Sequence, residues 1–267
     1  MKKIFLVSIC IIGFACSRPD LVKELQNARW IDLTHEFDST TVYWPTDVNF
    51  RHDTVFYGMT DKGYFYSSFK YSAEEHGGTH FDAPVHFRKG GNSVDNVPVS
   101  QLHGPAVLID VSEQCSKNRD YLILTDDINN WEHQHGKIPD GAVILLYTGY
   151  EKFWNDHLRY TGTLKKGPEG VAELHFPGLS PEASKWITDY RKVNAIGLDT
   201  PSIDFGQSKD FKTHRLLTEA GLTIYENLCN LGELPPEGAY IVALPMKIKG
   251  GSGAPLRIVA ILPPLPQ

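Results

Sequence analysis

His76-Gly77-Gly78-Thr79-His80-Phe81-Asp82-Ala83-Pro84-Val85-His86 decides how the rest of the chain is read. Two histidines four apart could share a helix face, as in zinc proteases, but Gly77-Gly78-Thr79 is a poor helix and no Glu follows His76 directly. The stretch reads instead as a turn leading into an extended segment. There His80 and Asp82, two apart, point to the same side, while the glycines let the chain fold back so that His76 joins them. Two imidazoles and one carboxylate form a borderline ligand set suited to zinc or manganese, with coordination positions left open. A buried hydrogen-bonded network is the plainer alternative. The convergence of three potential ligands within seven residues, with His86 four beyond, favours metal.

Working outward, short β-branched and aliphatic runs predict buried or half-buried strands at 30–33, 64–73, 106–111, 142–147, 193–198, 240–244 and 257–262. Three helices are expected between them, giving a mixed α/β class. One runs from Asp126 to about His135, with Thr125 as its cap. The next opens at Ser180-Pro181-Glu182, a capping hydroxyl before a proline, and continues to about Arg191. The third spans about Lys212 to Ala220 and is stopped by Gly221. No repeat or Gly/Ser linker divides 30–262, which reads as one domain behind a tether at 16–29 and ahead of a tail at 263–267.

Composition excludes several classes. Hydrophobic content of 41% with 22% charged residues is that of a globular protein, and a net charge of −6 without a long basic run argues against nucleic acid as a partner. Histidine stands out at 11 residues, several packed close together, which points to metal or proton chemistry. Lys2-Lys3 followed by an apolar stretch to Ala15 has the anatomy of a secretory leader too short for a comfortable membrane span. Cys16 then stands where a bacterial lipoprotein carries its lipidated cysteine, although Gly13 departs from the aliphatic residue usual there. This predicts an exported, periplasmic or outer-membrane location, with the membrane reached only through a lipid anchor. Cys115 and Cys229 read as two buried thiols, a disulfide between them being the alternative.

At 76–86 the sequence resembles the cyclase family of metal-dependent hydrolases, which includes bacterial kynurenine formamidase and isatin hydrolase. The family pattern H-x-G-T-H-x-D-x-P-x-H is matched at every fixed position. Ile31-Asp32-Leu33-Thr34-His35, Val42-Tyr43-Trp44-Pro45, Tyr147-Thr148-Gly149, the segment from Ile196 to Asp204, and the stretch from His214 through Glu226-Asn227-Leu228 to Arg257 extend the resemblance over about 30–262. It implies a swivelling β/β/α domain, an α/β fold with one mixed sheet and packed helices, and usually a homo-oligomer. It also implies two divalent ions, zinc first and manganese second, held by His76, His80, Asp82, His214 and Glu226. His86 corresponds to the family's catalytic histidine, and Trp44 to an aromatic lining the substrate pocket. Asp199, Thr200, Ser202 and Asp204 match a family segment and are given a supporting role.

The chemistry that follows is hydrolysis of an amide by a metal-activated water, with His86 as general acid and base. The reference reaction is that of an arylformamidase, N-formylkynurenine and water giving kynurenine and formate. Because kynurenine metabolism is normally intracellular and this chain carries a leader-like start, opening of a cyclic amide or lactone, as in isatin, is the first alternative. An exported metal- or ligand-binding lipoprotein without turnover is the second.

Overall fold

Three apolar runs that the sequence marks as strands lie side by side at the centre of the sheet. The computed structural model describes residues 20–264, so the leader and Cys16 lie outside the described residues. In chain order the strands are β1 (Arg29–Asp32), β2 (Arg51–Met59), β3 (Phe65–Ser72), β4 (His80–Asp82), β5 (His103–Asp110), β6 (Leu122–Ile123), β7 (Val143–Tyr147), β8 (Gly178–Leu179), β9 (Ala195–Leu198), β10 (Thr223–Glu226), β11 (Tyr240–Pro245) and β12 (Gly253–Leu262). The helices are α1 (Leu21–Asn27), α2 (Ser112–Lys117), α3 (Thr125–His135), α4 (His157–Thr161), α5 (Gly167–Ala172), α6 (Pro181–Tyr190) and α7 (Lys212–Glu219).

The large sheet runs β1-β12-β11-β5-β7-β9-β10-β4, and β4 pairs back onto β12. That last pairing turns the mixed sheet into a barrel-like ring. β5, β7, β9 and β10 are parallel, while β11, β12 and β4 join antiparallel. Parallel strands covered on both faces need apolar residues at nearly every position, which explains the unbroken runs in β7 and β9. Val143 and Leu145 enter the core inside the ring, whereas Ile144 and Leu146 join a second core with Ile128 and Trp131 of α3, Ile187 of α6 and Leu217 of α7.

Most expected elements are present. Ser180 caps α6 by accepting from the Ala183 amide, and α7 ends one residue before Ala220 and Gly221, whose φ of +80° suits a helix stop. Two readings are corrected. Thr125 is not the cap of α3: the cap is Leu124, whose amide donates to the Asp127 carboxylate, a stronger acceptor than a hydroxyl. The expected strand at 64–73 exists as β3, but it is exposed along most of its length, because it pairs only with β2 in a two-stranded arm that no other sheet covers. Cys115 and Cys229 are free and buried.

Glu132 of α3 clamps Arg191 at the end of α6, accepting from Nε at 2.6 Å and from Nη2, and also accepting from the Ile138 amide at 2.9 Å. Arg191 holds the Glu132 carboxyl below its usual range. The stabilisation is therefore complete above the ordinary glutamate range and is lost as pH falls through the lowered value. Glu132→Gln should lower the unfolding free energy by about 1–2 kcal/mol at neutral pH. Denaturant melts should show that gap narrowing in acid, where wild-type Glu132 also becomes neutral; a pH-independent gap would assign the loss to packing alone.

Candidate metal centre

Strand register explains how the acidic and imidazole groups meet. β4 lies between β10 and β12, with His80 directly opposite Glu226 on one side and Pro255 on the other. Cross-strand partners share a face, as do residues two apart on one strand. His80, Asp82 and Glu226 therefore project together, while Phe81 and Tyr225 point the other way and pack at 5.8 Å inside the ring. From the helix layer, α7 brings His214 over the same face. Its Nε2 lies 3.3 Å from Asp82 Oδ2 and 3.2 Å from Glu226 Oε1, and His80 Nε2 lies 3.3 Å from Asp82 Oδ1 and 3.4 Å from Glu226 Oε2.

His76 enters from the turn between β3 and β4. Its Nδ1 is 2.7 Å from Asp82 Oδ1 and its Nε2 is 2.9 Å from Ser252 Oγ. Gly78, at φ +58°, takes a left-handed turn that a β-carbon would strain, and aims its carbonyl at two donors, His80 Nδ1 at 2.9 Å and Asn227 Nδ2 at 2.7 Å. Gly253 on β12 leaves room for the His76 ring, since a β-carbon there would stand 2.4 Å from it.

Two groups of donor atoms each converge within 4.8 Å: His76, His80 and Asp82, and Asp82, His86 and His214. Asp82 belongs to both, one oxygen facing His76 and His80, the other His214. His80 and His214 each commit Nδ1 elsewhere, to the Gly78 carbonyl and to Asp204 Oδ2 at 2.7 Å, which leaves Nε2 directed at the cluster. Imidazoles oriented in this way from behind are the usual arrangement around a metal. Asp204 also accepts from the Thr213 and His214 amides, so one carboxylate caps α7 and sets its histidine.

The charges fit the same reading. Burial opposes ionisation of Asp82, yet His80, His214 and His76 outweigh it and hold the carboxyl well below its usual range. Burial likewise opposes charge on His80, but Asp82 and Glu226 push it up to about 10. His214 is raised well above its ordinary value against the same burial, by Asp204, Asp82 and Glu226. The negative field that draws protons to these nitrogens would equally hold a divalent cation, so proton and metal compete for one set of lone pairs. His86 differs: burial pushes it down to about 4, so it is neutral at pH 7.

Beside the cluster is a cavity of about 300 Å³, walled by Trp44, Phe87 and Phe211 and reached by His76, His80, His86, His214 and Glu226. His86 stacks on His76 with ring centroids 3.8 Å apart. The structure thus brings together His76, His80, Asp82, His86, His214, Glu226 and Trp44, with Asp204 behind His214 and Ser202 on the cavity wall. Asp199 stands apart: it accepts from the Thr148 amide and hydroxyl and the Glu151 amide, bracing the loop after β7. His35, outside the cavity lining, stacks on Trp154 at 3.9 Å.

Sequence reasoning missed Phe87 and Phe211 as cavity walls. Phe87 adjoins His86, and Phe211, held at φ 49°, stands one helical turn before His214, so proximity was the available signal. It also missed the Tyr43 hydroxyl. That hydroxyl and Ser202 Oγ are buried with no hydrogen-bond partner among the described residues, and both residues line the cavity.

Comparison with known proteins adds the following. The Cyclase family model, described as "Putative cyclase", matches residues 31–205. The isatin hydrolase of Roseibium aggregatum is 32% identical over 197 residues, covering 71% of this chain and 72% of that protein. The kynurenine formamidase of Bacillus cereus is 26% identical over 235 residues, covering 88% and 98%. Among solved structures, isatin hydrolase A from Labrenzia aggregata bound to benzyl benzoate superposes with a TM-score of 0.81 at 33% identity, over 91% of this chain and 98% of that one.

Asp82→Ala and His80→Ala should each abolish tight metal binding, because too few donors remain. Asp204→Asn should leave the ion bound but with affinity weaker by about 10–100-fold. Elemental analysis and chelator competition measure both; full occupancy in Asp82→Ala would overturn the assignment.

Proposed function

The chain belongs to the cyclase family of metal-dependent hydrolases, and on that basis we propose that it cleaves an amide bond carried on an aromatic ring. The observation that carries this reading is the placement of a neutral histidine, His86, on the wall of an aromatic cavity within 4.8 Å of Asp82 and His214 donor atoms. His76, His80, Asp82, His214 and Glu226 are the side chains that would hold divalent metal, two ions being the reading that their number and the family resemblance favour. A divalent ion bound there, zinc before manganese, supplies Lewis acidity for water activation and carbonyl polarisation.

The side chains supply the rest. His86, unprotonated at neutral pH, takes the proton from the attacking water and returns it to the departing nitrogen. Tyr43, whose hydroxyl burial raises to about 12, stays a donor throughout, and with Ser202 it can orient the substrate oxygen. Trp44, Phe87 and Phe211 present ring faces and edges to an aryl group and exclude bulk water from the reacting atoms.

N-formylkynurenine is the reference substrate for this chemistry. A fused cyclic amide of the isatin type is the second reading, favoured by the higher identity to isatin hydrolase than to kynurenine formamidase. In that case the leaving nitrogen remains tethered to the product, and the same proton return from His86 completes ring opening. Comparing kcat/KM for the two substrates with metal-loaded enzyme separates the readings; no turnover of either, or of related formamides and lactones, would remove both.

His86→Ala should retain metal near the wild-type level while the rate falls by on the order of 100-fold or more. Joint loss of metal and activity would instead place His86 among the ligands, and near-normal hydrolysis would exclude proton transfer by it.

A further inference from the structure

A second cavity, of about 330 Å³, shares no lining residue with the one beside His86. Three cations line it: Arg119 from the segment between α2 and β6, Lys152 from the turn after β7, and Arg159 from α4. No carboxylate lines it. In a chain of net charge −6 that gathering is out of character. Arg191 and Arg257 reach carboxylates, whereas among the described residues Arg119, Lys152 and Arg159 form no ion pair.

The contacts that hold these cations leave N–H groups free. Arg119 donates from Nε to the His175 carbonyl at 2.7 Å and from Nη2 to the Leu158 and Arg159 carbonyls at 3.2 and 2.7 Å, and its Nη1 has no acceptor among the described residues. Lys152 Nζ stands 4.9 Å and the Arg159 guanidinium 4.1 Å from the centre of the Phe153 ring. An aromatic ring attracts a cation without consuming its hydrogen-bond donors. The hydroxyls around them are already committed: Ser116 donates to the Glu113 carbonyl, Thr148 to Asp199 Oδ1 and Tyr150 to the Arg119 carbonyl. Two acids adjoin the lining and are engaged as well, Asp199 by Thr148 and the Glu151 amide, Glu151 by the Leu231 and Gly232 amides. What the cavity lacks is an acceptor, and one that carries negative charge.

We propose that this cavity is a second ligand site, which takes the dianionic phosphate of a small phosphomonoester. A carboxylate or a phosphodiester brings a single charge to three cations. A phosphomonoester brings close to two, with three terminal oxygens, and guanidinium forks match phosphate oxygens in pairs. The cavity volume falls in the range of small-molecule sites and exceeds what a bare phosphate fills, which leaves room for the esterified group.

Isothermal titration calorimetry on the metal-loaded full chain, at fixed ionic strength, should show glycerol 3-phosphate binding more tightly than inorganic phosphate, and acetate at least about 10-fold more weakly than either. Lys152→Gln with Arg159→Gln should raise the glycerol 3-phosphate dissociation constant by on the order of 10- to 100-fold. Metal content and the circular dichroism spectrum should stay as in the wild type, since neither residue lines the metal cavity. Equal binding of acetate and phosphate, or a double variant that binds as the wild type does, would overturn the proposal. Inorganic phosphate bound more tightly than the ester would overturn the assignment to an ester. Binding that persists in the double variant and vanishes when metal is removed by a chelator would place the phosphate on the ion instead.

Discussion

Asp82 and Glu226 are two carboxylates buried where water cannot solvate them, and the architecture around them is organised to make that burial tolerable. An isolated buried charge is unstable, so each oxygen must find a positive or hydrogen-bonding neighbour. Asp82 faces imidazoles on both sides, and Glu226 accepts from the Ile203 amide at 2.6 Å while approaching His80 and His214. Those histidines are in turn anchored from behind by Gly78 and Asp204. The ring of strands provides the rigid face, and α7 closes it from above. Divalent metal chemistry is what such a concentration of oriented donors suits.

The same arrangement explains why neighbouring imidazoles behave differently. His80 and His214 lie against both carboxylates and are drawn toward protonation or metal, whereas for His86 burial outweighs the more distant acids. One short stretch of chain thereby carries His80, held toward its charged form, and His86, held neutral, only six residues apart. Strained backbone borders this chemistry: Phe211 and Asn227, which both line the cavity, adopt left-handed conformations unusual for non-glycine residues. Phe211 begins α7 and its side chain tilts toward Trp44 at 6.0 Å, so the strain is spent on forming the aromatic wall.

How much of this the sequence discloses depends on range. His76, His80, Asp82 and His86 are legible because a turn and a three-residue strand bring them together locally. His214 and Glu226 are not, since their arrival depends on β4 choosing β10 as its neighbour, and only family resemblance pointed to them. Apolar runs located β5, β7, β9, β11 and β12 well, because burial on one or both faces dictates their composition. The same signal misjudged β3, whose aromatic alternation marks a face without saying whether anything in its own chain covers it. Short helices such as α2, α4 and α5 left too few turns for a periodic pattern to emerge.

The closing strand pair has a consequence for the order of assembly. Asp82 takes Gly253 as its register partner, a residue 171 positions later in the chain. At about 5–20 residues per second of synthesis, the segment carrying His76 to His86 emerges roughly ten seconds or more before β12 can dock beside it. Until then its three imidazoles and one carboxylate are those of an open peptide, with no rigid geometry to discriminate among cations. A donor geometry able to discriminate among cations therefore exists only in the finished ring, and the docking of β12 sets the moment at which it forms.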